Sequence, residues 1–409
     1  MIAEGIAKFP ADHAGFFVLM AEELSYVIVT PHTLRKSRTG GILARALSRS
    51  GLDLVAARMF APSAELIAKY AEGLVNDDPD SRHRATQELI KKYVVEKFTP
   101  NDKGIRPRVL MLVFKGENSV DKIRAVVGHI VNERTSGETI RDTYGDYVTD
   151  ELDKVAYFEP AVLAPQDAVS AERDLKLWAE YSDADGGLLD STVEYPAGAK
   201  IEKTLVLIKP DNFRFPNARP GGVIDLFSRT GLYIIACKVH RMSVAQAEEF
   251  YGPVLEVLQD KLRGRTGEVA RKLLDAEFTL KLSAEVESKL GDLVGPIVGR
   301  DNWEQIVSFM SGIKPSECPS DRRNEPGTEK CIALCYQGVD AVRKIREVLG
   351  PTDPSKAPPG TIRREFGSTI MVNAAHASDS PENAQREMGI VKIAENNLRP
   401  LIESWYAKK

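Results

Sequence analysis

The 409-residue sequence holds only four cysteines, Cys237, Cys318, Cys331 and Cys335. Their spacings fit no paired zinc pattern, and no secretory leader is read at the start, so neither a zinc knuckle nor a disulfide framework is expected. Cys331 and Cys335 flank a short apolar run and are expected as small buried hydrophobes. No stretch of about 18 apolar residues exists. The apolar run over 15–20 is followed at once by Glu22 and Glu23 and is too short to span a bilayer, so a soluble, cytoplasmic chain without a membrane partner is expected. The net charge of −4 lacks the Lys and Arg excess that a nucleic-acid binder needs to neutralise phosphates. No Gly-x-x-x-x-Gly-Lys-Ser/Thr loop occurs, which excludes a P-loop nucleotide site. What remains is an ordinary globular balance, 43% hydrophobic and 28% charged, in a chain long enough for two or three domains.

The chain contains one pattern twice. The run Tyr26-Val-Ile-Val-Thr30-Pro31 is followed by a polar stretch and by Gly40-Gly41 through Ser50-Gly51-Leu52. Thr204-Leu-Val-Leu-Ile-Lys209-Pro210 is followed in the same way by Gly221-Gly222 through Thr230-Gly231-Leu232. Each reads as strand, turn, helix, Gly stop and second strand, the last over Leu54–Met59 and Tyr233–Val239. Further on, Lys122-Ile123-Arg124 through Gly128 matches Lys344-Ile345-Arg346 through Gly350. Glu138-Thr139-Ile140-Arg141 through Gly145 likewise matches Gly360-Thr361-Ile362-Arg363 through Gly367. The reading is two tandem α+β copies, 1–185 and 186–409, each ferredoxin-like (βαββαβ) with an antiparallel sheet covered by helices. The join is placed near Asp183–Gly187. The second copy carries an insertion at about 255–330, expected as charged helices over Leu255–Leu262, Glu268–Phe278 and Ala284–Leu293, serving packing or an oligomer contact.

Of the six histidines, His13, His32, His83, His129 and His240 need no functional explanation. His376 differs by its surroundings. Ile370 to Ala375 reads as a strand end entering a turn, Ser380 as a helix N-cap and Pro381 as the first helical residue. His376 is therefore expected in the turn beside a helix N-terminus, where amide groups and the macrodipole favour an anion such as a phosphoryl group. Glu387, two turns into that helix, can hold one imidazole nitrogen and leave the other as nucleophile.

The segment Asn373-Ala-Ala-His376-Ala-Ser378-Asp379-Ser380 resembles the active-site signature of nucleoside-diphosphate kinases. Ile208-Lys209-Pro210-Asp211 is similar to that family's first-strand motif, and Tyr251 falls where the family has a phosphate-side Tyr. Arg346, with Gly350, Thr352 and Pro354 behind it, and Arg363 resemble its two phosphate arginines and their context. Asn302-Trp303-Glu-Gln-Ile306 is similar to its base-stacking helix, with Asn302 at the usual aromatic position, Trp303 beside it and Ile306 at the aliphatic one. The resemblance covers about 200–409. It implies ping-pong transfer of a γ-phosphoryl group between nucleoside triphosphates and diphosphates through phosphohistidine at His376. Lys209, Arg346 and Arg363 would supply cations, Thr352 and Tyr251 hydroxyls, Asn373 a contact to a ribose hydroxyl, and Ser378 and Glu387 support for the histidine. It also implies Mg²⁺ held through the nucleotide phosphates and no direct protein ligand.

The first copy has Thr30 in place of the Lys and His32 in place of the Asp, and no histidine between His129 and His240. Arg124 and Arg141 stand at the phosphate positions, where they either bind a nucleotide or another anion and regulate the partner copy or, the favoured reading, are structural. Phosphohistidine chemistry is excluded there, and the copy is expected as a built-in dimer partner within a chain that oligomerises further. Two alternatives share the residues: a nucleotide-binding regulatory or scaffold protein with weak turnover, and phosphotransfer from His376 to a protein.

Overall fold

The computed structural model of the chain describes residues 22–76, 80–130, 137–152 and 154–407. The apolar run at 15–20 and His13 lie outside them. Among the described residues no helix is long and apolar enough to cross a membrane.

The first copy contributes β1 (Glu22–Val29), β2 (Asp53–Phe60), β3 (Val109–Glu117), the hairpin β4 (Asp146–Thr149) and β5 (Val155–Glu159), and β6 (Val162–Leu163). The second contributes β7 (Ile201–Ile208), β8 (Tyr233–His240), β9 (Cys331–Val339) and β10 (Ala375–Ala377). Each copy builds a four-stranded sheet, in the orders β2-β3-β1-β6 and β8-β9-β7-β10, with every pairing antiparallel. This is the expected α+β ferredoxin-like architecture, present twice. The likeness extends to details: the strand irregularity at Leu54/Ala56 recurs at Ile234/Ala236. Gly51 and Gly231, expected as helix stops, both cap in the left-handed region at φ 67° and ψ 11°, where a Cβ would be strained. The cysteines are all free, and Cys331 and Cys335 are buried in β9 as expected. The β4–β5 hairpin was not foreseen, because its short, largely solvent-facing strands lack an alternating apolar pattern.

The two copies share a hydrophobic core that includes Val27, Leu43 and Ile123 of the first and Val206, Ile224 and Ile345 of the second. The equivalent helices Thr39–Ser50 and Arg219–Phe227 cross backbone to backbone at glycine. A Cβ on Gly40 would lie 2.6 Å from the Gly221 carbonyl oxygen, and one on Gly221 would lie 2.3 Å from the Gly40 oxygen. The C-terminal helix Leu398–Tyr406 then returns to the first copy and buries Leu398 and Ile402 in its second core, beside Trp178. Burial of that kind contributes roughly 1.5–3 kcal/mol per side chain.

The insertion is a helical hairpin of two long helices, Val244–Phe278 and Ala284–Ser311, in place of the three shorter ones expected. The first helix runs unbroken through the charged stretch around Arg263–Arg265, where the apolar spacing lapses. The hairpin seam is lined by Gly267, Gly291, Gly295 and Gly299, at each of which a Cβ would collide with the facing helix backbone.

Candidate active site

His376 lies in strand β10, paired with Leu207 of β7, and not in a turn. Residues 370–374 form the turn instead, ending at Ala374 with φ 69°. The sequence reading misplaced the strand because nothing in an Ala-Ala-His-Ala run marks the left-handed residue. That turn is stapled to the end of β7: the Ala374 carbonyl accepts from the Lys209 amide at 2.9 Å and from Asn212 Nδ2 at 2.8 Å. The Ala374 amide donates to Asp211 Oδ2 at 3.3 Å. Ser380 caps the following helix, Pro381–Ile390, as expected, its hydroxyl accepting from the Asn383 amide.

Inside this frame the Glu387 carboxylate is buried, and one of its oxygens, Oε2, accepts from Ser378 Oγ at 2.6 Å and lies 2.9 Å from His376 Nε2. An ionised carboxylate can only accept, so Nε2 carries the ring proton and Nδ1 keeps its lone pair. The imidazole is 24% exposed, enough for one edge to meet a ligand. Phe250 packs edge-on against it at 5.0 Å between ring centroids, and Tyr251 lies at 6.3 Å. Phe250 was not singled out from the sequence; its place one residue before Tyr251 was the available signal.

The cations converge on the same region. Lys209 is buried, donates to the Met371 carbonyl and to Asn373 Oδ1 at 3.0 Å, and stands 4.8 Å from the centroid of the Phe309 ring. Burial lowers its pKa to about 8, against the pull of Asp211 and with a small further push from Arg363. Arg363 donates to the carbonyls of Gly350 at 3.0 Å and Ala375 at 3.2 Å, which ties it next to His376, while its Nε has no hydrogen-bond partner among the described residues. Burial first, and the neighbouring Arg346 second, hold it down at about 10. Arg346 is exposed, and both it and His376 help keep the Asp379 carboxyl below its usual range, after the hydrogen bond from Asn383. Burial, then Glu387, pushes the Tyr251 phenol upward, so it stays a protonated donor.

Several of the expected site residues are engaged within the protein. Asn373 is buried and its amide is engaged: Nδ2 donates to the carbonyls of Thr352 at 3.1 Å and Ile370 at 2.8 Å, and Oδ1 accepts from Lys209. Its observed work is to join the turn, the Thr352 loop and the lysine. Trp303 belongs to the core, with Nε1 donating to the Tyr251 carbonyl at 2.9 Å, which makes it a support for Tyr251 and removes it from any base platform. Ile306 is half-buried against that core, and Asn302 donates to its own helix at Val298. Thr352 is exposed. Among the described residues no cluster of three His, Cys, Asp or Glu side chains is placed to hold a metal ion. The donors here are cations and hydroxyls, a set that suits anionic oxygens.

The corresponding place in the first copy is built differently. Leu163 pairs with Ile28 as His376 pairs with Leu207, so leucine occupies the histidine position. Thr30 donates to Glu159 at 3.0 Å where Lys209 stands in the second copy, and the Tyr93 hydroxyl donates to the same carboxylate oxygen. Asp174, on the helix equivalent to that of Glu387, accepts from the Tyr26 hydroxyl at 2.7 Å. Arg141 repeats the bonds of Arg363, to Gly128 and Val162, and lines a cavity of about 20 Å³, room for a water and little else.

Comparison with known proteins gives a consistent relationship. The family model described as "Nucleoside diphosphate kinase" matches residues 23–182 and 326–395. The nucleoside diphosphate kinase of Bdellovibrio bacteriovorus is 32% identical over 190 residues, 46% of this chain and 92% of that one. That of Pyrobaculum aerophilum is 29% identical over 198 residues, 46% of this chain and 93% of its own. A solved structure of an NDP kinase from Pyrobaculum aerophilum is 27% identical, covers 48% of this chain and 100% of that one, and has a TM-score of 0.32.

The ring geometry is testable without turnover. Side-chain ¹⁵N NMR of His376 is expected to show the Nε2–H tautomer in the free protein, and Glu387→Ala to give a mixture. A native spectrum with the proton on Nδ1 would contradict the hydrogen-bond assignment.

Proposed function

The chain belongs to the nucleoside diphosphate kinase family, and from that premise we propose that its second copy, 186–409, is a working kinase with His376 as the phosphoryl carrier. The observation that carries the reading is the Glu387–His376–Ser378 arrangement, with Nε2 committed to a buried carboxylate and Nδ1 left free. In the first half-reaction the Nδ1 lone pair attacks the γ-phosphorus of a nucleoside triphosphate. The N–P bond forms as the bond to the β–γ bridging oxygen breaks, and the nucleoside diphosphate leaves with that oxygen's electron pair. A terminal phosphate oxygen of a second diphosphate then attacks the phosphohistidine and restores the ring, a ping-pong scheme. The Nε2 proton stays on the bond to Glu387, which steadies the positive charge that develops in the ring.

Phosphoryl transfer asks mainly for positioning and charge stabilisation. Lys209, Arg346 and Arg363 are assigned to the phosphate oxygens, with Tyr251 and Thr352 as hydroxyl donors and Ile306 on the base side. Asn373 is assigned to holding Lys209 and the Thr352 loop, with any ribose contact made from its remaining Oδ1 lone pair. Mg²⁺ on the nucleotide would neutralise charge on the β- and γ-oxygens, and this reading gives it no direct protein ligand. The first copy, 1–185, serves as the built-in partner of the second: Leu163 removes the nucleophile, and the shared core and the Gly40–Gly221 crossing supply a dimer-like contact.

A coupled assay of phosphoryl transfer from ATP to several nucleoside diphosphates is expected to show turnover that His376→Ala lowers by at least about 10³-fold, the scale of losing a covalent nucleophile. Transfer persisting in that variant would overturn the assignment. Nucleotide binding with turnover near zero in the native protein would favour the regulatory or scaffold reading.

The lysine predicts a pH dependence. Its pKa is depressed to about 8, so the ammonium is present below that pH and lost above it. Because kcat/KM reports the free enzyme, it is expected to fall as pH rises through about 8, about tenfold per unit. Lys209→Arg, charged throughout, is expected to flatten that limb at a lower absolute level; an unbroken plateau to pH 9.5 in the native enzyme would contradict the role.

A further inference from the structure

The loop after the Glu387 helix is held by two buried cations, and one of them comes from the other copy. The helix Pro381–Ile390 ends in a turn in which the Val391 amide donates to the carbonyl of Glu387 itself at 3.0 Å. The next residue, Lys392, is left-handed at φ 48°, and the chain then runs through Ala394 and Glu395 to Asn397. Lys238, on β8, reaches the carbonyls of Val391 at 3.4 Å and Lys392 at 3.2 Å and the Glu395 carboxylate at 2.9 Å. Arg58, on β2 of the first copy and at the position equivalent to Lys238, reaches across. Its NH1 donates to the Glu395 carbonyl at 3.1 Å, its NH2 to that of Ala394 at 3.5 Å, and its Nε to Ser182 of its own copy at 3.0 Å.

Packing alone does not call for this arrangement. Arg58 is 4% exposed and Lys238 3%, and burying a cation costs free energy unless its donors are met. An apolar side chain would fill the space without that cost. A guanidinium adds a planar fork that fixes the directions of several carbonyls at once. Lys238 also sits at the C-terminal, partially negative end of the helix that carries Glu387. We propose that Arg58 is a positioning residue for the reaction: the silent copy, through this clamp on Ala394 and Glu395, sets the axial placement of the Glu387 helix and so the orientation of the His376 ring. This rests on His376 being the phosphoryl carrier, and it gives the first copy a share in catalysis that its own lost site does not.

The test compares Arg58→Met, Arg58→Lys and, as a control on copy–copy contact, Arg108→Met, all in the full chain. Arg108 also crosses between copies, donating to the Ile234 carbonyl and lying over the Tyr233 ring, but touches nothing near the clamp. Arg58→Met is expected to lower kcat by roughly ten- to a hundredfold, the range for a displaced catalytic group, with nucleotide KM within about threefold. Hydrogen exchange is expected to rise at amides 387–395 and stay unchanged in β7 and β9. Arg58→Lys keeps the charge and loses the fork, so a loss of a few-fold is expected, while Arg108→Met leaves kcat and KM at native values. A folded Arg58→Met with native kcat overturns the proposal, as does an equal loss in Arg108→Met with exchange raised throughout. If Arg58→Met does not fold, Arg58→Lys decides, and native kcat with native exchange at 387–395 overturns it. Should the native protein take up no phosphoryl group, the carrier assignment fails, and the clamp stands or falls on local exchange and the His376 tautomer.

Discussion

Everything at the site depends on a strand of three residues. Strand β10 sits at the edge of its sheet, pairs only with β7, and carries His376 at its centre. So short an edge strand contributes little of its own stability, and its placement is imposed from outside. On one side Ala374 is stapled to the Lys209–Asn212 turn; on another Arg363 holds the Ala375 carbonyl; on a third Ser378 donates to Glu387. In the proposed reaction the groups that fix the strand are also those that would meet the nucleotide, so scaffold and chemistry would share side chains. Asn373 is the clearest case: its amide ties Lys209, the Thr352 loop and the turn into one unit.

The two copies show the same strand with and without a histidine at its centre. The backbone persists, down to the left-handed residue before it, Ala374 at φ 69° and Ala161 at φ 60°. The arginine below it persists too, making the same pair of carbonyl bonds in each copy. Those bonds give Arg141 a part in the fold that needs no histidine beside it. Thr30, Tyr93 and Glu159 meanwhile satisfy one another in the space beside it. What the first copy retains is a surface, the β2 strand and the Thr39–Ser50 helix, that completes the core of the second.

Much of this was legible in the sequence. The repeat, the ferredoxin-like order of elements, the Gly51 and Gly231 stops and the Ser380 cap all follow from local spacing and caps. The pairing of His376 with Glu387 followed from helical reach and the family signature. Three things did not follow. The position of His376 in a strand depends on Ala374 adopting a left-handed conformation, which alanine does not announce. The burial of Trp303 depends on how the two helices of the inserted hairpin pack on each other, which brings its ring to the Tyr251 carbonyl, a tertiary matter. The clamp from Arg58 joins residues 337 apart in the chain, and an isolated Arg on a strand carries no sign of its partner.

The central claim is two copies of the fold and one reactive nitrogen. It is tested most directly by incubating the native chain with γ-labelled ATP, quenching in alkali and counting the bound phosphoryl groups. The account predicts one per chain, acid-labile and alkali-stable, recovered on the peptide that contains His376. Two per chain, or label on any other peptide, would contradict it.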